Sequence, residues 1–182
     1  KKAKLPLKPL YLTEFESPEF MQFFSHSSDL PREVSVNQAA SAKATIRKDF
    51  PNMIFEEHIE SKKPSNTIGS GITLIATDSN GNVLSASSLG RKGKLAELVG
   101  QEAGEKLLVE MSAGKAVDSH AADQLIPFMA LAKGYSTIHC TKLTQHCLTN
   151  IAICEKILGV KFEVKGEKDS PAEIFVEGIG FK

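Results

Sequence analysis

A polar turn between two β-rich segments is the sequence feature that most constrains how this chain can fold. Residues 71–77 and 83–89 are joined by Asp78-Ser79-Asn80-Gly81, and an Asn-Gly pair readily adopts the positive φ angles of a tight hairpin. Apolar residues then recur at helical spacing over residues 94–112, as in an amphipathic helix. We therefore predict a β-hairpin with a helix packed on it.

The segment before the hairpin is predicted to complete one α/β unit. Residues 1–12 contain Pro6 and Pro9 and suit an edge strand or an extended connector, because proline donates no backbone hydrogen bond. We expect a strand at residues 19–24, a turn at 25–29 and a helix at 31–49 that begins near Pro31. A second strand is expected at 53–60, followed by a polar loop at 61–67.

The pattern changes at Ala113-Gly114, and a second unit of order α-β-α-β-β is predicted beyond it. Asp118 and Ser119 can cap the first helix, and Gly159 can end the second. The predicted elements are a helix over residues 120–133, a strand over 135–141, a helix over 144–158 and a strand pair over 160–164 and 172–176.

Composition and charge limit the classes of function. The 22 basic and 22 acidic side chains cancel, so any RNA contact is expected to be local. No apolar run approaches the roughly 18 to 20 residues of a membrane-spanning helix. The three cysteines lie close together in sequence, which favours free thiols in a reducing compartment, and we expect a cytoplasmic protein without membrane partners.

A first candidate site lies at the start of the helix predicted after residue 118. His120, Asp123 and Gln124 are spaced i, i+3 and i+4 and therefore share one helix face. Pro127 would clash with the carbonyl four residues earlier and free that acceptor at Asp123. The alternative is that Asp118, Ser119 and Asp123 bind early helix amides and that His120 is solvated.

A second candidate is His146, in the sequence Leu-Thr-Gln-His-Cys-Leu-Thr-Asn of residues 143–150. If Thr144 is the N-cap, His146 lies in the first turn, where free amides and the helix dipole favour an anion such as phosphate. Asn150 lies one turn further on and is expected to orient the imidazole. The alternative is a surface histidine on a helix whose apolar face supplies the packing.

Other kinds of chemistry find less support in the sequence. His139-Cys140 and His146-Cys147 match no paired-cysteine zinc module, so no metal site is predicted there. Gly69-Ser70-Gly71 is interpreted as a turn, because it leads into a strand instead of opening a helix as a phosphate loop would. No nucleophile-elbow sequence of a serine hydrolase is present.

The two candidate segments, residues 117–132 and 143–151, resemble the carboxy-terminal half of an RNA 3'-terminal phosphate cyclase. Gly69-Ser70-Gly71-Ile72 and residues 84–90 resemble the same family's inserted domain. The resemblance implies an α/β fold of mixed α+β type. In it, a large domain of repeated α/β units carries a smaller inserted α/β domain, and only the carboxy-terminal part is present here. It places residues 1–21 at the end of a large-domain unit, 22–116 in the inserted domain and 117–182 in the last large-domain unit.

The resemblance also implies an activity, a cofactor set and site residues. In this activity a histidine takes AMP from ATP and passes it to the 3'-phosphate of RNA. A 2',3'-cyclic phosphate then forms as AMP leaves. A divalent cation (Mg or Mn) assists the reaction. The nucleophile matches His146, and the nucleotide pocket matches Asp123, Gln124 and, where some members carry tyrosine, His120. The implied partners are RNA with a 3'-phosphate end and the missing amino-terminal half, with a homo-oligomer left open.

The resemblance leaves one alternative function open. A eukaryotic relative of the cyclases serves in ribosome assembly without cyclase activity, so a non-catalytic RNA-binding scaffold is the second hypothesis. The presence of His146 favours the enzyme.

Overall fold

Two units of secondary structure divide residues 5–181, the part of the chain that this computed structural model describes. The central unit comprises residues 16–112, and the split unit comprises residues 5–15 together with 113–181. Their elements are β1 (Tyr11–Leu12), β2 (Pro18–Ser28), α1 (Arg32–Ile46), β3 (Ile54–Lys62), β4 (Gly69–Asp78), β5 (Val83–Leu89), α2 (Ala96–Ser112), α3 (Ala121–Leu131), β6 (Lys133–Cys140), α4 (Gln145–Leu158), β7 (Phe162–Lys165) and β8 (Ala172–Ile179).

The central unit is a four-stranded sheet with two helices on one face. The strand order is β3-β2-β4-β5, in which β2 and β3 are parallel and the other pairs are antiparallel. Alternate residues of β2, such as Met21 and Phe23, point into the core beneath α1 and α2 and are fully buried. The two helices approach closely at Gly100, where an added Cβ would lie 2.0 Å from the carbonyl oxygen of Gln38.

The predicted hairpin is confirmed, and its turn is stabilised by a carboxylate. β4 and β5 pair antiparallel, and Gly81 has a φ of +80°. The Asp78 carboxylate accepts hydrogen bonds from the amides of Asn80 and Asn82, at 3.0 and 2.8 Å. These bonds, together with that of the Asn82 side chain, lower the pKa of Asp78 against the opposing effect of burial, which is the largest single influence on it.

Two local predictions for the central unit are wrong. Residues 25–28 continue β2 instead of forming a turn, and residues 69–71 begin β4. Ser27 pairs with Ser61 on one side and with Ser70 on the other. The central position of β2 in the sheet therefore overrides the turn preference of its serines.

The split unit is a second four-stranded sheet, of order β1-β6-β8-β7, packed against α3 and α4. β1 is an edge strand of two residues that runs parallel to β6. The rest of the segment predicted as an edge strand or connector is not strand over residues 5–10, and its residues 1–4 lie outside the described residues. α3 ends at Leu131, not at residue 133, because Lys133 is already the first residue of β6 and its amide donates to the Leu7 carbonyl. Within residues 5–181, no helix combines the length and apolarity needed to cross a membrane.

Candidate functional site

The helix that carries His146 begins and ends as its sequence predicts. Thr144 is the N-cap of α4, and its Oγ1 accepts a hydrogen bond of 3.1 Å from the Cys147 amide. Gly159 closes the helix in the left-handed conformation, with a φ of 71°. The cap satisfies one early amide and leaves others in the first turn directed away from the helix.

His146 is exposed, whereas its neighbour Cys147 is completely buried. Cys147, Ile151 and Cys154 form the inward face of α4. His146 therefore lies on the solvent side of the first turn, beside the positive end of the helix dipole. An imidazole in this position can reach a phosphate group that the helix terminus attracts.

The second candidate helix begins with a carboxylate cap. Asp118 Oδ1 accepts from the amides of His120 and Ala121, at 3.0 and 2.7 Å, and the Asp118 carbonyl accepts from Ala122. Asp118 therefore has the capping role that the sequence offered as an alternative. His120 and Gln124 are exposed and Asp123 is partly buried, so all three side chains have access to solvent.

A hydrogen bond between helices occupies the acceptor that Pro127 frees. Pro127 lies inside α3 and has no amide hydrogen to donate to the carbonyl of Asp123. The side-chain amide of Asn150, on α4, donates to that carbonyl at 2.9 Å. Asn150 thus joins the two candidate helices, and its side-chain amide donates to Asp123 instead of to the His146 ring that the helical spacing indicates.

Burial keeps the thiol in the first turn of α4 protonated. Burial, followed by the neighbouring Cys140 and Asp123, raises the pKa of Cys147 to about 12. Cys147 is therefore a protonated thiol near neutral pH and a poor nucleophile. All three cysteines are free thiols, as predicted. Of the side chains beside α4's start, the exposed His146 is the better candidate for covalent chemistry.

The structure brings some of the predicted residues together and leaves others apart. The Asn150 side chain connects α4 to α3 through the backbone carbonyl of Asp123. Among residues 5–181, no hydrogen bond or ring contact joins His120 or Gln124 to His146. These two side chains share the solvent-facing side of α3 with access to a ligand, but they form no preassembled cluster with the imidazole.

The loop before α4 contains a lysine that the sequence analysis did not single out. The Leu143 amide donates to the Ser170 carbonyl at 2.8 Å, and the Asp169 amide donates to the Leu143 carbonyl at 2.9 Å. Lys142 is exposed and its Nζ lies 3.3 Å from the Asp169 carboxylate. The sequence feature that could have identified Lys142 is its position two residues before a predicted N-cap, because a helix amino terminus is where a phosphate would bind.

A divalent cation is among the cofactors that the resemblance implies. Between residues 5 and 181, no three His, Cys, Asp or Glu side chains are placed to hold a metal ion together. A magnesium ion that is bound mainly through substrate phosphates needs only one or two protein carboxylates, so it does not require such a cluster.

Comparison with known proteins identifies the family. Residues 13–112 match the model for the RNA 3'-terminal phosphate cyclase (RTC) insert domain. An RNA 3'-terminal phosphate cyclase of Methanopyrus kandleri is 38% identical over 177 residues, which cover 96% of this chain and 50% of that protein. Proteins of the same name from Staphylothermus marinus and Korarchaeum cryptofilum are 39% and 44% identical, covering 96% and 86% of this chain and 50% and 44% of theirs. The chain spans about half the length of these relatives and belongs to the RNA 3'-terminal phosphate cyclase family.

Proposed function

We propose that this chain supplies the adenylate acceptor of an enzyme that converts the 3'-terminal phosphate of RNA to a 2',3'-cyclic phosphate, with ATP as the nucleotide substrate. The observation that carries the proposal is the exposed His146 imidazole on the first turn of a capped helix. Membership of the cyclase family and the names of the relatives give the reaction class.

The proposed reaction has three displacements at phosphorus. First, an imidazole nitrogen of His146 attacks the α-phosphorus of ATP, a P–N bond forms, and pyrophosphate leaves with the electrons of the broken P–O bond. Second, an oxygen of the RNA 3'-phosphate displaces the imidazole and takes the AMP group. Third, the adjacent 2'-hydroxyl attacks the 3'-phosphorus, loses its proton, and AMP leaves. The covalent step divides one difficult displacement into easier ones.

The surrounding residues would bind and orient the nucleotide. The first-turn amides of α4 point at an α-phosphate that lies against His146, where they offset negative charge that develops on its oxygens. We assign Asp123 and Gln124 to hydrogen bonding with the nucleotide and His120 to contact with the adenine ring. Asn150 is a positioning residue, because its bond to the Asp123 carbonyl sets α3 against α4.

Phosphoryl transfer also requires cationic groups around the reacting phosphate. The arginines of this chain, Arg32, Arg47 and Arg91, all lie in the central unit, whereas His146 lies in the split unit. We therefore propose that the remaining charges come from the half of the enzyme that this chain does not match in its relatives. The proposed partners are that half and an RNA ending in a 3'-phosphate.

The test is the covalent adduct between His146 and AMP. This chain is fused to the unmatched half of the Methanopyrus kandleri relative, incubated with ATP labelled at the α-phosphate, and analysed by mass spectrometry. We expect an acid-labile, alkali-stable AMP group on His146 and little cyclase activity from the chain without the added half.

The matched control is His26→Ala, which removes an exposed histidine of the central unit. His146→Ala and His146→Asn should abolish the adduct, and His26→Ala should retain it. An undiminished adduct in His146→Ala would refute the assignment of the nucleophile. A fusion that binds RNA but forms no adduct with any nucleotide would support the non-catalytic scaffold instead.

A further inference from the structure

The central unit contains a cleft that the proposed chemistry at His146 does not use. The cleft has a volume of about 520 Å³, within the range of small-molecule and nucleotide sites. It lies where β2 and β5 end and α1 and α2 begin, between Leu30 and Val34 on one side and Lys94 and Ala96 on the other. Both helices therefore direct their positive dipole ends toward the same region.

The loop Gly90-Arg91-Lys92-Gly93-Lys94 gives this cleft a positive charge. Lys94 is already neutralised, because its Nζ contacts Glu102 and donates to Ser88. Arg91 and Lys92 are exposed, and no carboxylate within the described chain lies at salt-bridge distance from either. Two unpaired cations beside two helix termini are an electrostatic arrangement suited to phosphate.

The lining of the cleft also includes a hydroxyl group. Ser70 lines the cleft and accepts a hydrogen bond of 2.9 Å from the Gln38 side chain. Its partner across the sheet, Ser27, is 1% exposed, and its Oγ has no hydrogen-bond partner within the described residues. Buried hydroxyls normally find a partner. Ser27 does not itself line the cleft, so of these two hydroxyls the one that a ligand would meet is that of Ser70.

The opposite wall of the cleft is apolar. Leu30, Val34 and Ile68 line it, and Ile68 is 76% exposed. A simple phosphate ion would make no use of this surface, whereas a nucleotide has both a charged phosphate and an apolar ring face. Proteins that bind single-stranded nucleic acids combine a basic groove with aromatic side chains on which bases stack. In this cleft the apolar contact for a base is aliphatic.

We propose that this cleft binds one nucleotide unit of the RNA strand. Its phosphate lies against Arg91, Lys92 and the first turns of α1 and α2, and its ribose or base lies against Leu30, Val34 and Ile68. The inference deepens the proposed function, on which it rests for the identity of the nucleic acid as RNA. It gives the central unit a role in holding the substrate strand.

The first test measures RNA binding by fluorescence anisotropy, using the full chain and a labelled single-stranded RNA at several salt concentrations. The Arg91→Ala/Lys92→Ala variant is compared with Arg47→Ala/Lys48→Ala, which removes the same two residue types from the far end of α1. We expect the cleft variant to bind about tenfold more weakly and its salt slope to fall by roughly 0.7, for one lost single-strand phosphate contact. The control should bind as the unchanged chain does.

A second variant tests the cleft without weakening the fold. Ala96 lines the cleft at the first residue of α2. Ala96→Glu places a carboxylate where it favours the helix dipole but repels a phosphate. We expect the thermal unfolding temperature to be maintained or raised and RNA binding to fall.

Three results would overturn the proposed RNA site. Equal losses in the cleft variant and in the control would mean general electrostatic attraction and would overturn the inference, as would unchanged RNA binding by Ala96→Glu. Competition by free AMP as effective as competition by RNA would identify a mononucleotide site and also overturn it. The His146 adduct is measured separately. If the adduct forms but RNA binding is unchanged in both cleft variants, this inference alone is refuted. If RNA binding falls as predicted but the adduct does not form, the assignment of the nucleophile alone is refuted.

Discussion

Replacing Asn150 with alanine should destabilise the split unit, because it leaves the Asp123 carbonyl without a hydrogen-bond partner. The bond measures 2.9 Å and is partly buried, and Pro127 removes the donor that would otherwise serve that carbonyl within α3. An unsatisfied buried acceptor costs about 1–3 kcal/mol, and we expect this partly buried one to cost about 1.4 kcal/mol. Since about 1.4 kcal/mol is a factor of ten, the unfolded fraction should rise roughly tenfold.

The cysteines give a probe specific to this unit. All three lie in the split unit and are buried, so their reaction with a thiol-reactive dye reports its opening and not that of the central unit. We expect Asn150→Ala to lower the urea concentration at which the thiols react. Thr149→Ala, which removes a hydroxyl bound to the Gln145 carbonyl on the exposed side of the same helix, should change stability by less than about 0.5 kcal/mol.

A double-mutant cycle isolates the carbonyl as the cause. Pro127→Ala restores an amide hydrogen four residues after Asp123 and offers its carbonyl an intrahelical partner. In that background Asn150→Ala should cost less than it does alone, with a coupling energy of about 0.5–2 kcal/mol. The same cost in both backgrounds would refute the explanation, because the Asn150 side chain would then act through packing alone.

Two further predictions concern α4. Thr144→Ala should destabilise the split unit by about 0.5–2 kcal/mol and reduce the amount of His146 adduct. Thr144→Asp keeps an acceptor for the Cys147 amide and should therefore retain both the stability and the adduct. Equal losses in the two variants would contradict the role of Thr144 as a cap. Because the pKa of Cys147 is raised from 9.0 to about 12, its contribution to stability is complete below pH 9 and is lost as the pH rises toward 12. The stability difference between the unchanged chain and Cys147→Ala, followed by circular dichroism, should therefore shrink across that range, and a constant difference would contradict the assignment.

Local sequence signals predicted the parts of the fold that depend on short-range chemistry. The Asn80-Gly81 turn, the Thr144 cap and the Gly159 terminus each follow from one or two residues with strong conformational preferences. The exposed His146 follows from the cap, because the cap fixes which residue lies in the first turn. The family resemblance, confirmed by the comparisons, supplied the class of fold.

Features that depend on the meeting of distant elements were missed. The serines at residues 25–28 have turn preferences, and they are strand residues because β3 and β4 pair with them from both sides. Asn150 is close to His146 in helical spacing, but its donor reaches a carbonyl 27 residues away. The cleft near Arg91 forms where two helices that are far apart in sequence begin together, an arrangement that no local pattern encodes.

The ends of the segment that interrupts the split unit lie side by side. The Phe15 amide donates to the Gly114 carbonyl at 3.2 Å, and Glu14 forms an antiparallel bridge with Lys115. A ribosome therefore releases β1 long before its partner β6 exists, and residues 16–112 can complete their own sheet in the interval. The split unit must wait for its later strands. A short linker between residues 15 and 113 should allow it to form without that delay.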